Sequence, residues 1–246
     1  MDLNDVLVVN FAVDERTVKL SEYCFRKLGF DNIVTLKNEK GFREKFLDFA
    51  DLAVKSDHEC FLRTDADRLV FDGVYELVKR YNKNLFCLEG KCYDYLMKKY
   101  RGATPHLFSR TAMETLHKNK ALIPDTQKPE SRFIENLTNN KTRGFVSVNV
   151  LTNLHDYEQY PSKVCNTIIN RIFRNHFNRL YDINYLLQTE YATATREAII
   201  FSQKTKEKSA MNYLNFSHLD KNFEPLNELD IDSRYEFYKK IYNQLK

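Results

Sequence analysis

Asp65-Ala66-Asp67 is the segment whose residue types and spacing best suit chemistry. Two carboxylates one residue apart stand directly after Cys60-Phe61-Leu62-Arg63-Thr64, which reads as a short strand. Acidic side chains where a strand stops lie at the rim of a sheet, where open α/β proteins bind their ligands. Two like charges so close are costly to desolvate, and a divalent cation relieves that cost. Carboxylate oxygens suit Mg2+ or Mn2+, and such an ion neutralises a diphosphate in turn. The plainer reading of the same residues is an Asx turn or a cap for the next helix. What favours a ligand is the alternation of strand and helix that precedes the pair.

That alternation begins with VLVVNFAV, Val6 to Val13, a β-branched run suited to a central strand covered on both faces. Asp14 is placed to cap a helix through Leu28, and Gly29 to stop it. A second strand runs from Asn32 to Leu36. Phe42, Phe46, Phe49 and Ala53 recur at helical intervals over 41–55, with Arg43, Glu44, Lys45 and Asp48 on the wet side. After the acidic pair, Val74, Leu77, Val78 and Tyr81 mark a helix, and Asn84 to Leu88 a strand. Tyr93 to Arg110 reads as a loop, because Gly102 and Pro105 break the pattern. Helices are expected from Ser109 to Lys118 and from Pro129 to Asn139, then a strand from Phe145 to Leu151, with Leu154-His155-Asp156 just beyond it. Val164, Ile168 and Ile172 open a mostly helical stretch that ends in a helix from Arg234 to Leu245. The expected division is therefore 1–162, an α/β domain, and 163–246, a helical region packed on it.

Composition narrows the classes. A chain of 246 residues that is 43% hydrophobic can fill a core without covalent staples. Cys24, Cys60, Cys87, Cys92 and Cys165 are an odd set with no second close pair to complete a zinc site, and they read as reduced thiols. The first residues read as a strand rather than a leader, and no apolar run is long enough to span a bilayer, so a cytoplasmic protein is expected. The formal charge of +4 is mild and dispersed, which does not imply a nucleic-acid partner. Lys204, Lys206 and Lys208 offer a weak basic patch for a membrane surface, though ordinary solvated charge explains them better.

VLVVNFAV, FREKFLDFADLAV and above all FLRTDADRLVFDGVYELV resemble the nucleotide-sugar half of the GT-A glycosyltransferases, with Asp65-Ala66-Asp67 as the DxD motif of that family. The resemblance covers about residues 5–160, is specific at the motif and generic elsewhere, and leaves the helical tail unmatched. It implies a Rossmann-like, mixed but mostly parallel sheet flanked by helices, and an enzyme that moves a sugar from a UDP- or GDP-type donor to a carbohydrate or lipid-linked hydroxyl.

The resemblance also implies roles. His155 corresponds to a histidine that holds Mn2+ or Mg2+ together with Asp67, with Asp156 as its partner. Asp65 would reach ribose, sugar, metal or metal-bound water. Glu130 falls where inverting members carry a general base, with Glu135 and Asp125 as substitutes; an acid in a helix's first turn also stabilises its dipole without any substrate. Phe11, Ala12, Val13 and Arg16 fall at the nucleotide contacts, with Lys19 as a further cation, and Arg63, Ala66 and Arg68 flank the diphosphate. Arg101, His106, Tyr93, Tyr95 and Tyr100 are placed to line a sugar or acceptor site. Two rival readings stand beside this one. A sugar-phosphate nucleotidyltransferase needs a glycine-rich loop after the first strand, and 11–16 contains no glycine. A scaffold with the same sheet would do no chemistry at all.

Overall fold

The computed structural model describes residues 2–37, 42–123, 133, 145–173, 180–205, 214–221 and 230–246. β1 (Val6–Ala12) has every residue buried, as its β-branched run predicts for a strand covered on both sides. Its odd-numbered residues Leu7, Val9 and Phe11 face α2 (Phe42–Lys55) and α4 (Arg110–Lys118), and Val6 and Val8 face α1 (Val18–Lys27) and α3 (Val74–Lys79). The first face is aromatic: Phe49 meets Phe11, Phe61 and Phe108 edge-on at 5.9, 6.3 and 5.8 Å. Burying one such side chain contributes roughly 2–3 kcal/mol, so the face is a rigid platform under the sheet's rim.

The sheet has seven strands in the order β2-β1-β3-β6-β5-β7-β4, where β2 is Ile33–Lys37, β3 Cys60–Asp65, β4 Arg68–Val70, β5 Cys87–Asp94, β6 Lys99–Ser109 and β7 Phe145–His155. The β1–β2, β1–β3 and β5–β7 pairs are parallel, and β3–β6, β5–β6 and β4–β7 antiparallel. The α/β class holds, but the sheet is evenly mixed rather than mostly parallel. The cause is β6, which occupies most of the stretch expected as a loop. Gly102 lies within it, while Thr104 and Pro105 fall in the register shift between Gly90↔Ala103 and Glu89↔His106, where a proline costs no ladder hydrogen bond.

Three boundaries also move. α1 starts at Val18, because Thr17 spends its hydroxyl on the Ala66 carbonyl at 2.6 Å and Asp14 instead pairs with Lys163. β5 runs to Asp94 rather than ending at Leu88. β7 continues through His155, since β4, a strand the sequence reading lacks, pairs with its last residues. The helix expected from Pro129 to Asn139 lies outside the described residues but for Phe133, which is helical and buried in the aromatic face.

α5 (Pro161–Phe173), α6 (Leu180–Leu186) and α7 (Ala192–Lys204) share a cluster with Leu96. α8 (Ile231–Leu245) packs its Tyr235, Tyr238 and Tyr242 with residues of α1, β4 and β7. The Tyr242 hydroxyl donates to the Leu151 carbonyl at 2.8 Å and accepts from the Gly73 amide at 3.1 Å. Glycine is required at 73, because a Cβ there would sit 1.8 Å from the Leu151 oxygen. Among the described residues no helix is long and apolar enough to cross a membrane.

Candidate functional site

The turn from β3 to β4 is held by the backbone of its middle residue. Ala66 donates its amide to the Phe11 carbonyl at 2.9 Å and accepts from Thr17. β4 then pairs with β7 in the register Arg68↔His155, Leu69↔Leu154 and Val70↔Asn153, and the Asp156 amide donates to the Asp67 carbonyl at 3.2 Å. This short ladder carries Asp67 to His155 across almost ninety residues of chain.

The two aspartates of the motif meet different surroundings. Asp65 accepts from Arg63 Nη2 at 2.6 Å, Thr104 Oγ1 at 3.0 Å and Arg68 Nε at 3.4 Å. Burial alone would raise its carboxyl, but Arg63 and Arg68 outweigh burial and hold it below the usual range. Asp67 Oδ2 lies 3.3 Å from His155 Nε2. Asp67 Oδ1 is buried without a hydrogen-bond partner, its nearest cation being Arg68 Nε at 3.8 Å. The carboxyl is held well below its ordinary value, because His155 and Arg68 together overcome its burial.

His155 therefore has two differently occupied sides. Nε2 faces Asp67, whereas Nδ1 lies 3.0 Å from Asp94 Oδ2 and 3.1 Å from Asp156 Oδ2. Arg101 Nη2 is 2.9 Å from the same nitrogen, and the two carboxylates outweigh it in placing a proton there. Burial and Arg68 push the imidazole down, but Asp156, Asp67 and Asp94 prevail and lift it to about 9. Asp94 is fully buried; Arg101 Nε reaches it at 2.9 Å, and Arg171 from α5 at 3.0 and 3.3 Å. Arg171 Nη2 also donates to Asp156 at 2.7 Å. Asp156 is raised, because burial outweighs His155 and Arg171, and its backbone takes a φ of 62°, a conformation aspartate tolerates better than most residues.

Ligand atoms of Asp67, His155 and Asp156 lie within 4.8 Å of one another. A carboxylate with one buried oxygen lacking a donor and the other 3.3 Å from an imidazole nitrogen whose ring is oriented from its far side is a donor set that could hold a divalent cation. Asp65, expected among the ligands, stands apart with its two arginines. Of the expected nucleotide contacts, Phe11 and Ala12 are buried at the end of β1, with the Arg63 guanidinium 4.6 Å from the Phe11 ring centre. Val13 donates to Glu15 Oε2 at 2.6 Å, and Arg16 pairs with Glu158 at 2.7 Å. Glu158 also takes Arg234 and the Tyr238 hydroxyl, so Arg16 is tied to α8. Lys19 is exposed.

Tyr95 packs against Tyr157, Tyr185 and Tyr191, Tyr93 against Tyr100, and His106 lies 3.5 Å from Glu89; Arg101 belongs to the Asp94 network rather than to an open loop. Glu130, Glu135 and Asp125 lie outside the described residues. Sequence reasoning missed Asp94 and Arg171. Arg171 did carry a signal: it sits three residues after Ile168 and seven after Val164, on the apolar stripe of its helix, where a lone arginine needs a buried acid.

Neither a protein-family model nor a curated protein sequence matches this chain. Among solved structures it is similar to A197 from STIV, at 10% identity and a TM-score of 0.46 over 61% of this chain and 84% of that one. It is also similar to a glycosyltransferase involved in glycosylation of the major capsid of PBCV-1, at 10% identity and 0.42 over 61% and 92%. A third is 4-diphosphocytidyl-2C-methyl-D-erythritol synthase from Anaerococcus prevotii, at 11% and 0.44 over 63% and 91%. Likeness at this level is one of chain path, and no residue role is carried across it. Fold and site together define a mixed α/β protein with a carboxylate–imidazole centre at the rim of its sheet.

Proposed function

We propose that this chain is a metal-dependent glycosyltransferase that moves a sugar from a nucleoside-diphosphate donor to a hydroxyl acceptor. The observation that carries the reading is the Asp67–His155 pair: Asp67 Oδ2 lies 3.3 Å from His155 Nε2, and Oδ1 of the same carboxylate is buried without a hydrogen-bond partner. Asp67 and His155 Nε2 would hold Mn2+ or Mg2+, which when bound neutralises the charge that grows on a departing diphosphate. The chain's own residues do the rest. Asp94 and Asp156 keep the proton on His155 Nδ1 and turn Nε2 toward the ligand side. Arg63 and Arg68 hold Asp65 ionised at the end of β3, from where it can accept from ribose or sugar hydroxyls. Phe11 and Ala12, at the end of the adjacent strand, flank the place for the base. Glu130 remains the proposed base for the acceptor hydroxyl if the reaction inverts. The donor is proposed to be of UDP or GDP type, and the acceptor a carbohydrate or lipid-linked sugar.

One observation favours a non-catalytic scaffold instead: Arg63, Arg68, Arg101 and Arg171 already pair with Asp65, Asp94 and Asp156. Calorimetric titration of nucleoside diphosphates with and without Mn2+, on the parent and on Asp67→Ala, separates the two. Tight binding of one nucleotide that needs both the metal and Asp67 supports the transferase. Binding of no nucleotide in the presence of metal leaves the scaffold.

A further inference from the structure

The helical region has no part in the reading so far, yet one of its side chains reaches the centre. Arg171 is 8% exposed and projects from α5, beyond the end of the sheet-forming chain, onto both acids that hold His155 Nδ1. Its guanidinium spans Asp94, through Nη1 and Nη2 at 3.3 and 3.0 Å, and Asp156, through Nη2 at 2.7 Å. The two acids come from different places: Asp94 ends β5, and Asp156 follows β7 with its backbone at positive φ. Among the described residues of the sheet-forming chain, His155 alone also touches both acids. Arg101 reaches Asp94 and the imidazole, and is a third exposed on its side chain, whereas Arg171 is closed off from water.

We propose that Arg171 is a positioning residue for the metal centre, so that the helical region completes the site rather than merely covering the sheet. The inference rests on the metal-dependent reading above. One proton on Nδ1 cannot satisfy two carboxylates, and the fork of Arg171 supplies the donors that keep Asp94 and Asp156 side by side around the imidazole. Without the fork the two acids repel, Asp156 is free to turn away, and the ring loses the far-side contacts that aim Nε2 at Asp67. Residues that orient a metal-ligating histidine typically cost about 10- to 100-fold in metal affinity when removed. A pure charge effect runs the other way, since removing a cation from beside the centre tightens binding of another cation. The sign of the change therefore tells positioning from charge.

The test is Mn2+ titration, followed by electron paramagnetic resonance of the free ion, on the full chain and on Arg171→Met, Arg171→Lys and Asp220→Ala. Asp220 accepts from the Ser162 amide at 2.8 Å and anchors the start of α5 away from the centre. Its loss is expected to lower the melting temperature while leaving Mn2+ affinity within twofold. Arg171→Met is expected to weaken Mn2+ about 10- to 100-fold, and Arg171→Lys, whose ammonium can still donate to one of the two acids without the fork's geometry, to recover part of that loss. Unchanged or tighter binding by Arg171→Met overturns the proposal. Equal weakening by Asp220→Ala also overturns it, since α5 would then act only through its docking. If Arg171→Met does not fold, Arg171→Lys decides: fivefold or greater weakening supports the fork, and unchanged affinity rejects it. A parent chain that binds no Mn2+ fails at the earlier step and removes the metal reading itself.

Discussion

Asp65 and Asp67 are one residue apart in the chain and belong to two different electrostatic worlds. On the β1–β3–β6 side, Asp65 is closed by Arg63, Arg68 and Thr104. On the β4–β7 side, Asp67 keeps a buried oxygen without a donor and faces an imidazole. The same side chain in the same motif is thus held by two arginines in one place and left with an unpaired oxygen in the other. Neighbouring strands decide which, because Arg63 of β3 and Arg68 of β4 both donate to Asp65, whereas Arg68 stays 3.8 Å from Asp67 Oδ1.

Substituting the two acids should separate these roles most strongly. Asp65→Ala removes the carboxylate that two buried arginines share and is expected to cost about 3–5 kcal/mol in urea unfolding, with the smaller effect on Mn2+ affinity. Asp67→Ala should do the reverse, losing about 100-fold or more in Mn2+ affinity, about 2.7 kcal/mol or more, with the smaller loss of stability. Equal effects of the two substitutions on both measurements would erase the distinction between the sides.

A smaller effect is expected from loosening the β4–β7 side alone. Tyr242→Phe deprives the Leu151 carbonyl of its donor and the Gly73 amide of its acceptor, next to the strand that places Asp67. Leaving such buried groups unmade costs about 1–3 kcal/mol, and Mn2+ affinity should fall with it, by less than tenfold, in the same titration.

The smallest effect concerns the other side. Glu15 is raised above its ordinary value, chiefly by burial, so ionising it costs the folded state stability. A group raised on folding contributes fully below its unfolded value of 4.5 and loses that contribution as pH rises through the folded value. Glu15→Gln keeps an oxygen for the Val13 amide and removes the charge, so its melting temperature should exceed the parent's at pH 8. The gain should vanish near pH 4, and a gain that persists there would point to packing instead of charge.

Much of the near half of the site could be read from local pattern. β1 is hydrophobic on both faces, α2 repeats its apolar residues at helical intervals, and β3 ends at Asp65 as its composition suggests. Those elements obey periodicities that a few residues reveal on their own. The far half resisted for definite reasons. β4 is three residues long and β6 contains a glycine and a proline, so neither shows a strand's alternation. Asp94 ends a strand that was expected to stop six residues earlier. Arg171 has its acidic partners 15 and 77 residues away, beyond the reach of any local pattern.

What the sequence determined by itself is the acidic pair at the rim of an α/β sheet, since strand, turn and helix propensities act over a handful of neighbouring residues. Tertiary structure alone decided which of the two acids keeps an unpaired oxygen. That choice depends on the pairing of β4 with the end of β7 and on arginines delivered by β3, β4, β6 and α5. Such long-range pairings follow from the collective packing of the whole chain, and no local stretch of sequence encodes them.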